Sequence, residues 1–245
     1  MIRPALLLSF LLAIAPSSHA GTPQISVGPL FDYLPANSSH LLKRIRNTGE
    51  GTAYVRVEVS QMHFNGEGKP VEVPVDTAAL ARSADGAEGL IASPGRLIIA
   101  ANGQQATRLV YRGTRDEERY FRLRFIPVLP TTDEFSLSEA QAQEAAGLSS
   151  AIHVFTGYGT ILFVPPTNPR YDTRIEGNVV HNQGNATLVL DNLRYCEQAS
   201  PDTCTPGVLA HVRPGNSYEL NAGPARFARF DLLEGDAKRR VDARR

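Results

Sequence analysis

Ala151-Ile152-His153-Val154-Phe155-Thr156-Gly157-Tyr158-Gly159-Thr160-Ile161-Leu162-Phe163-Val164 runs straight into Pro165-Pro166-Thr167-Asn168-Pro169. The first run is rich in β-branched and aromatic residues and reads as one strand, long for a globular protein. Three prolines in five residues cannot continue a ladder and make a stiff link. A strand that ends in such a link divides the chain. One domain is expected over 21–165 and a second over 170–245.

Working outward, the flanks also read as strands. Val55, Val57 and Val59 alternate with Arg56, Glu58 and Ser60, which is period two with one wet face. Asn65-Gly66-Glu67-Gly68 is a turn, and Pro70 to Val73 follows it. Arg96 to Ile99, Thr107 to Arg112 and Arg119 to Phe125 are further strands, with Ala101-Asn102-Gly103 as a turn. Beyond the prolines, Thr173 to Asn182 looks like paired strands. Thr187 to Leu190, Val208 to Val212, Ser217 to Leu220 and Arg226 to Leu232 follow. Short strands at this spacing indicate sandwiches, so the fold class is all-β. Ser136 to Gly147 differs: Ser136 and Glu139 are spaced as a capping box, and the segment reads as a short helix or a mobile connector. Lys238 to Arg245 is basic and reads as a frayed end.

The N-terminus sets the compartment. Met1-Ile2-Arg3 is positive, Ala5 to Pro16 is almost wholly apolar, and Ser18-His19-Ala20 offers small residues where a signal peptidase reads. Residues 1–20 are therefore expected to be a secretory signal. The full chain has 25 basic and 25 acidic residues. Removing Arg3 with the signal leaves 24 against 25, a net charge of −1. That balance draws neither nucleic acid nor a membrane surface. No later segment reaches transmembrane length, so direct membrane insertion is not expected. Cys196 and Cys204 close a short loop in the exported part, and a disulfide is expected there. The rival is a two-cysteine metal site, which would need further ligands such as His181 or His211.

Catalytic constellations are missing from the sequence. It has no Gly-x-Ser-x-Gly, no His-Glu-x-x-His and no Walker loop. His40, His63, His153, His181 and His211 show no ligand spacing, and Asp116-Glu117-Glu118 reads as a solvated run beside a turn. The chain is expected to be no enzyme and to carry no cofactor or metal. A long strand whose edge is not fully paired can instead take up another strand, with backbone hydrogen bonds supplying affinity and alternate side chains selectivity.

Gly159-Thr160-Ile161-Leu162-Phe163-Val164-Pro165-Pro166, together with Gly177-Asn178-Val179-Val180-His181-Asn182-Gln183-Gly184-Asn185-Ala186-Thr187-Leu188, resembles the periplasmic pilus (fimbrial) assembly chaperones. The likeness is to their alternate chaperone–usher branch, such as the chaperones of the Escherichia coli common pilus. Asp116 to Arg122 and the pair Cys196/Cys204 resemble that branch too, and the likeness spans nearly the whole mature chain. It implies two immunoglobulin-like sandwiches set in an L, acting in the periplasm. The last strand of domain one would be lent to an incomplete pilus subunit, which is folded, capped and delivered to an outer-membrane usher. Self-association of the unloaded chain is compatible with this scheme.

Carried onto this sequence, the resemblance implies a donor face of Ile152, Val154, Thr156 and Tyr158, period-two neighbours that point one way. Burying three large side chains would yield roughly 5–9 kcal/mol gross, much of it lost to the costs of association. Better-known chaperones of this superfamily hold the subunit's terminal carboxylate with a basic pair. Where that strand should carry its lysine, this chain has Gly159-Thr160-Ile161, and the first expected strand, Ile25 to Tyr33, holds no arginine. Arg122 and Arg44 are the candidate anchors in their place, since guanidinium groups take carboxylates through paired bonds. Arg46, Arg108 and Arg124 stand behind them. The alternative function is that of a structural pilus subunit or tip adhesin. A long strand in mid-chain, followed by a second domain, argues against it. The absence of tryptophan lowers a sugar-binding reading.

Overall fold

The computed structural model describes residues 21–65, 69–83, 86–148 and 154–244. The expected signal (1–20), part of the turn at 65–68, and Ile152 and His153 lie outside the described residues.

In chain order the first half comprises β1 (Ile25–Ser26), β2 (Phe31–Tyr33), β3 (His40–Asn47), β4 (Ala53–His63), β5 (Val71–Pro74), α1 (Thr77–Arg82), β6 (Gly89–Ser93), β7 (Arg96–Ile99), β8 (Gln104–Arg112), β9 (Arg119–Pro127), α2 (Glu139–Leu148) and β10 (Tyr158–Val164). The second half comprises β11 (Thr173–Glu176), β12 (Val179–Asn182), β13 (Leu188–Glu197), β14 (Val208–Val212), β15 (Ser217–Glu219), β16 (Arg226–Glu234) and β17 (Ala237–Ala243).

Four sheets result. β1-β3-β8-β6 faces β2-β10-β9-β4-β5, with β7 also paired to β4. Between these two sheets lies one core that includes Ile45, Val55, Leu109, Phe121, Leu123, Phe125, Leu162 and Val164. β11-β12-β15 and β14-β13-β16-β17 enclose a second core of Val180, Leu188, Leu190, Leu193, Phe230, Leu232 and their neighbours. The alternation read in the sequence is what fills these cores: β9 buries Phe121, Leu123 and Phe125 and turns Tyr120, Arg122 and Arg124 to the other face.

Three local expectations are corrected. Ile25 to Tyr33 is not one strand. Gly28 takes φ 69°, a left-handed conformation that suits glycine, and Pro29 follows, so β1 joins one sheet and β2 the other. Lys43 makes that crossing firm: its buried ammonium donates to the Pro29 carbonyl at 2.6 Å and to Asp32 at 2.7 Å. The basic C-terminus is not frayed, because Gly235 (φ 62°) turns the chain into a hairpin and β17 pairs with β16 along its whole length. Its cations are matched there. Lys238 and Arg240 meet Asp231, and Arg239 meets Glu234. The 136–147 segment does contain a helix, but the capping box closes two residues later than expected. Gln141 N–H donates to Ser138 Oγ, and Ser138 N–H donates to Gln141 Oε1.

Candidate functional site: the edge and outer face of strand β10

β10 is antiparallel to β9 along its full length, from Tyr158 opposite Phe125 to Val164 opposite Arg119. Its other edge meets β2 in parallel, but only at Ile161 to Phe163. Ile161 N–H donates to the Leu30 carbonyl at 2.8 Å and closes that short pairing. Among the described residues, Tyr158, Gly159 and Thr160 therefore have no strand on that side. An edge of this kind presents backbone donors and acceptors to another chain.

The strand is shorter than the sequence suggested. It begins at Tyr158, not Ala151, and Val154 to Gly157 follow no regular structure. The cause lies in β9, which ends at Pro127. Continuing the register upstream would set Thr156 against Pro127, which has no N–H to give. Beyond it, the Val128 N–H turns away to the Tyr54 carbonyl. The regular pairing of β10 with β9 therefore starts at Tyr158.

The expected donor residues fall in different places. Thr160, Leu162 and Val164 are fully buried in the first core, and Tyr158, on the same face, packs partly against it. Thr156 is exposed, and Val154 is 82% exposed, an unusual setting for a valine. Ile152 lies outside the described residues. The apolar face of β10 is thus spent on the protein's own core as far as Tyr158, and Val154 continues the series with nothing beneath it.

The opposite face of β10 meets the second sandwich. His211 of β14 stacks on Phe163 with ring centroids 4.7 Å apart, touches Phe31 at 4.5 Å, and shares a 2.6 Å hydrogen bond with the Tyr33 hydroxyl. Burial among these rings pulls its pKa down from 6.5 to about 4. Beside it, the Glu118 carboxylate accepts from the Thr187 N–H (3.1 Å), the Thr187 hydroxyl (2.6 Å) and the Tyr120 hydroxyl (2.7 Å). Burial raises the pKa of Glu118 and outweighs those three bonds, which act in the opposite direction. The sequence run Asp116-Glu117-Glu118 looked like a solvated loop. Glu118 instead ties the two halves, and only its period-two spacing from Tyr120 hinted at this. A cavity of about 520 Å³ lies next to these contacts, lined by Tyr33, Glu118, Phe163, Tyr171 and Thr187 among others.

The two candidate anchors are not brought together. Arg44 is exposed on β3, in the sheet that does not contain β10. Arg122 lies on β9 directly opposite Ile161, on the outer face, and its Nε donates to Glu72 at 3.4 Å. A side chain on Gly159 would place its Cβ 3.6 Å from Arg122 Cδ and 3.8 Å from Nη1. The arginine therefore lies against the bare backbone of β10, at the position where the expected lysine is missing. Arg46 and Arg108 are exposed on the other sheet, and Arg124 is next to Arg122 on the same face. Cys196 and Cys204 are bonded to each other across a narrow hairpin, with Cα atoms 4.0 Å apart, which sets the metal alternative aside.

No family model matches the chain. It is 27% identical over 229 residues to a probable fimbrial chaperone EcpB of Escherichia coli O157:H7 (strain EC4115 / EHEC), covering 93% of this chain and 91% of the relative. It is 26% identical over 228 residues to the protein of the same name in Escherichia coli strain K12 / DH10B, with the same coverage. Among solved structures, the class 5 fimbriae chaperone CfaA superposes with a TM-score of 0.55 at 18% identity, over 89% of this chain and 98% of CfaA. The CsuC–CsuE chaperone–tip subunit pre-assembly complex of Acinetobacter baumannii gives a TM-score of 0.50 at 15% identity, over 90% and 97%. At such identities these structures speak for the fold: two all-β domains in one chain. Along nearly its full length, then, the chain is a homologue of proteins named probable fimbrial chaperone EcpB, and its all-β fold is shared with the superposed fimbrial chaperones.

Proposed function

We propose that this chain is a periplasmic chaperone that binds, folds and caps pilus subunits by donor-strand complementation and passes them to an outer-membrane usher. The observation that carries the reading is the edge of β10. Among the described residues it has no strand partner at Tyr158 to Thr160 on the β2 side, and the exposed Val154 precedes it. An incoming strand would find backbone partners along that edge, and Ile152, Val154 and Thr156 would supply the side chains its groove selects. Domain one, 21–165, lends the strand, and domain two, 170–245, holds it through Phe163 and Phe31. The work needs no bond-making step, so no catalytic group is assigned. Residues 1–20 act as the export signal in this reading, and no helix among the described residues is long and apolar enough to cross a membrane. Arg122, whose side chain lies against Gly159 of β10, would hold a subunit's terminal carboxylate in this reading, with Arg44 as the other candidate.

The test is co-expression of the exported chain with a candidate pilus subunit, followed by affinity purification and measurement of one-to-one complex. Complex with wild type and none with Ile152→Asp/Val154→Asp is the expected result. Equal complex from both proteins would move the contact off this strand.

A further inference from the structure

The cavity of about 520 Å³ between the two sandwiches has titratable walls of one sign. Tyr33, Glu118 and Phe163 come from the first sandwich, and Tyr171, Thr187 and Asp236 come from the second. With Glu234 there are three carboxylates among the lining residues, and no lysine, arginine or histidine is one of them. Tyr33 stacks on Phe163 with ring centroids 5.0 Å apart, which makes one aromatic wall. The third ring, Tyr171, is set by the turn between β16 and β17. Gly235 has no side chain there, and a Cβ would lie 3.1 Å from the Tyr171 hydroxyl oxygen. The turn therefore packs on the ring and carries Glu234 and Asp236 beside it. After burial, the charges of Glu118, Asp236 and Glu234 all raise the pKa of the Tyr171 hydroxyl. Their charges are not all matched. Glu234 accepts from the Thr173 hydroxyl at 2.6 Å and lies 3.8 Å from Arg239. Asp236 is exposed and makes no ion pair among the described residues. Glu118 makes none either. Its donors, the Thr187 N–H and the hydroxyls of Thr187 and Tyr120, are all neutral, and Arg213 is the weakest of the influences on its charge. A carboxylate withdrawn from water without a counter-ion is costly, and a cation entering the cavity would relieve that cost. The wall is also held in shape. Arg115, which does not line the cavity, draws Pro35, Ala36 and Pro165 together through their carbonyls at 3.2, 3.1 and 2.8 Å.

We infer that this cavity is a binding site for an alkylammonium group, with Glu118 and Asp236 as its counter-charges and the rings of Tyr33, Phe163 and Tyr171 around its apolar stem. A cavity of this volume suits an organic ligand. A bare metal ion fits it poorly, since among the described residues no three acidic, histidine or cysteine side chains converge closely enough to hold one. Aromatic faces attract cations and also pack against methylene groups, and Leu34, Pro35 and Val189 extend the apolar wall. A ligand held by both sandwiches would strengthen their docking. The inference does not rest on the chaperone reading, because it uses only the chemistry of the walls. Two sources share that chemistry: a lysine side chain presented by a bound protein, and a free polyamine.

The experiment uses the exported chain with 13C-labelled tyrosine and follows the ring resonances of Tyr33 and Tyr171 at about pH 8, where carboxyl groups are ionised and alkylamines protonated. The probe is n-butylammonium chloride. Sodium butyrate, with a similar stem and the opposite charge, and sodium chloride at equal ionic strength are the controls. Butylammonium should shift both rings saturably, and butyrate should not. Glu118→Gln should weaken binding about tenfold, the scale of a hydrogen bond to a charged group. Asp236→Asn, at an exposed position, should weaken it about two- to fivefold and covers the case in which Glu118→Gln folds poorly. Nα-acetyl-lysine amide and putrescine are then titrated in turn, and the tighter binder identifies the source. Equal response to butylammonium and butyrate, no saturable shift with any of the amines, or an affinity unchanged by both substitutions overturns the inference.

Discussion

Lowering the pH from 7.5 to 4.5 should loosen the contact between the second sandwich and β10 through one side chain, His211. Its ring is packed on Phe163 and Phe31, and burial holds its pKa near 4 instead of 6.5. The folded protein therefore favours the neutral ring, while the unfolded chain takes up a proton as pH falls below 6.5. Stability from this group is complete above pH 6.5, declines between 6.5 and 4, and does not fall further below 4. Undiscounted, the shift is equivalent to about 2.5 kcal/mol at pH 4.5. The ring is only half-buried, and solvent screening reduces this to about 1–2 kcal/mol. For a chain of this size that is about 2–8 °C in Tm. The assay is calorimetry of wild type and His211→Gln at both pH values. Glu118 close by titrates in the opposite sense, since its raised pKa favours the protonated carboxyl in the folded state. Its effect is present in both proteins and cancels in the difference. Wild type should lose several degrees more than His211→Gln on acidification. Equal losses would refute the argument that the buried neutral ring is the acid-sensitive element.

Three further outcomes follow from particular contacts. Val154→Asp should abolish subunit capture yet change stability by less than about 0.5 kcal/mol, because the side chain is 82% exposed; pull-down and urea melts check the two halves separately. Thr187→Val removes the hydroxyl that donates to buried Glu118 and should cost about 1–3 kcal/mol in a urea melt. Lys43→Met strands the Asp32 carboxylate near the crossing between β1 and β2 and should cost about 3–5 kcal/mol. Lys43→Met/Asp32→Leu should recover most of that loss, as seen by thermal unfolding.

The all-β fold was legible because its strands carry the period that burial demands. Phe121, Leu123 and Phe125 alternate with Tyr120, Arg122 and Arg124, and no arrangement except a half-covered sheet satisfies both sets. The disulfide was legible because two cysteines eight residues apart in an exported chain have few other uses. Where the reading failed, the cause was a partner distant in sequence. The C-terminal cations looked like a solvated tail because their matches, Asp231 and Glu234, lie on another strand. Glu118 looked solvated because Thr187, which buries it, is on the other side of the proline link. That Arg122 faces outward could be read from its place on a strand, but its ion pair with Glu72 could not. A single glutamate between two exposed valines has no local feature that marks it as the ion-pair partner of two arginines two strands away.

The open edge of β10 is itself a product of such distant geometry. Had Ile25 to Tyr33 run as one strand beside β10, it would have covered the whole edge and left nothing to lend. Gly28 and Pro29 prevent that by sending the two halves to different sheets, and Lys43 fixes the crossing by bonding to both Pro29 and Asp32. β2 is then only three residues long and meets β10 only at Ile161 to Phe163. The pairing that remains lies at the end of β10 held by the second sandwich. The edge that is freed lies at the other end, where Pro127 halts β9 and Val154 stands exposed. On the proposed function, the capacity to bind a strand at one end and to stay folded without one at the other are thus set by the same break in the first strand. Closing that break by replacing Gly28 and Pro29 with strand-forming residues should therefore reduce subunit capture even with every residue of β10 intact.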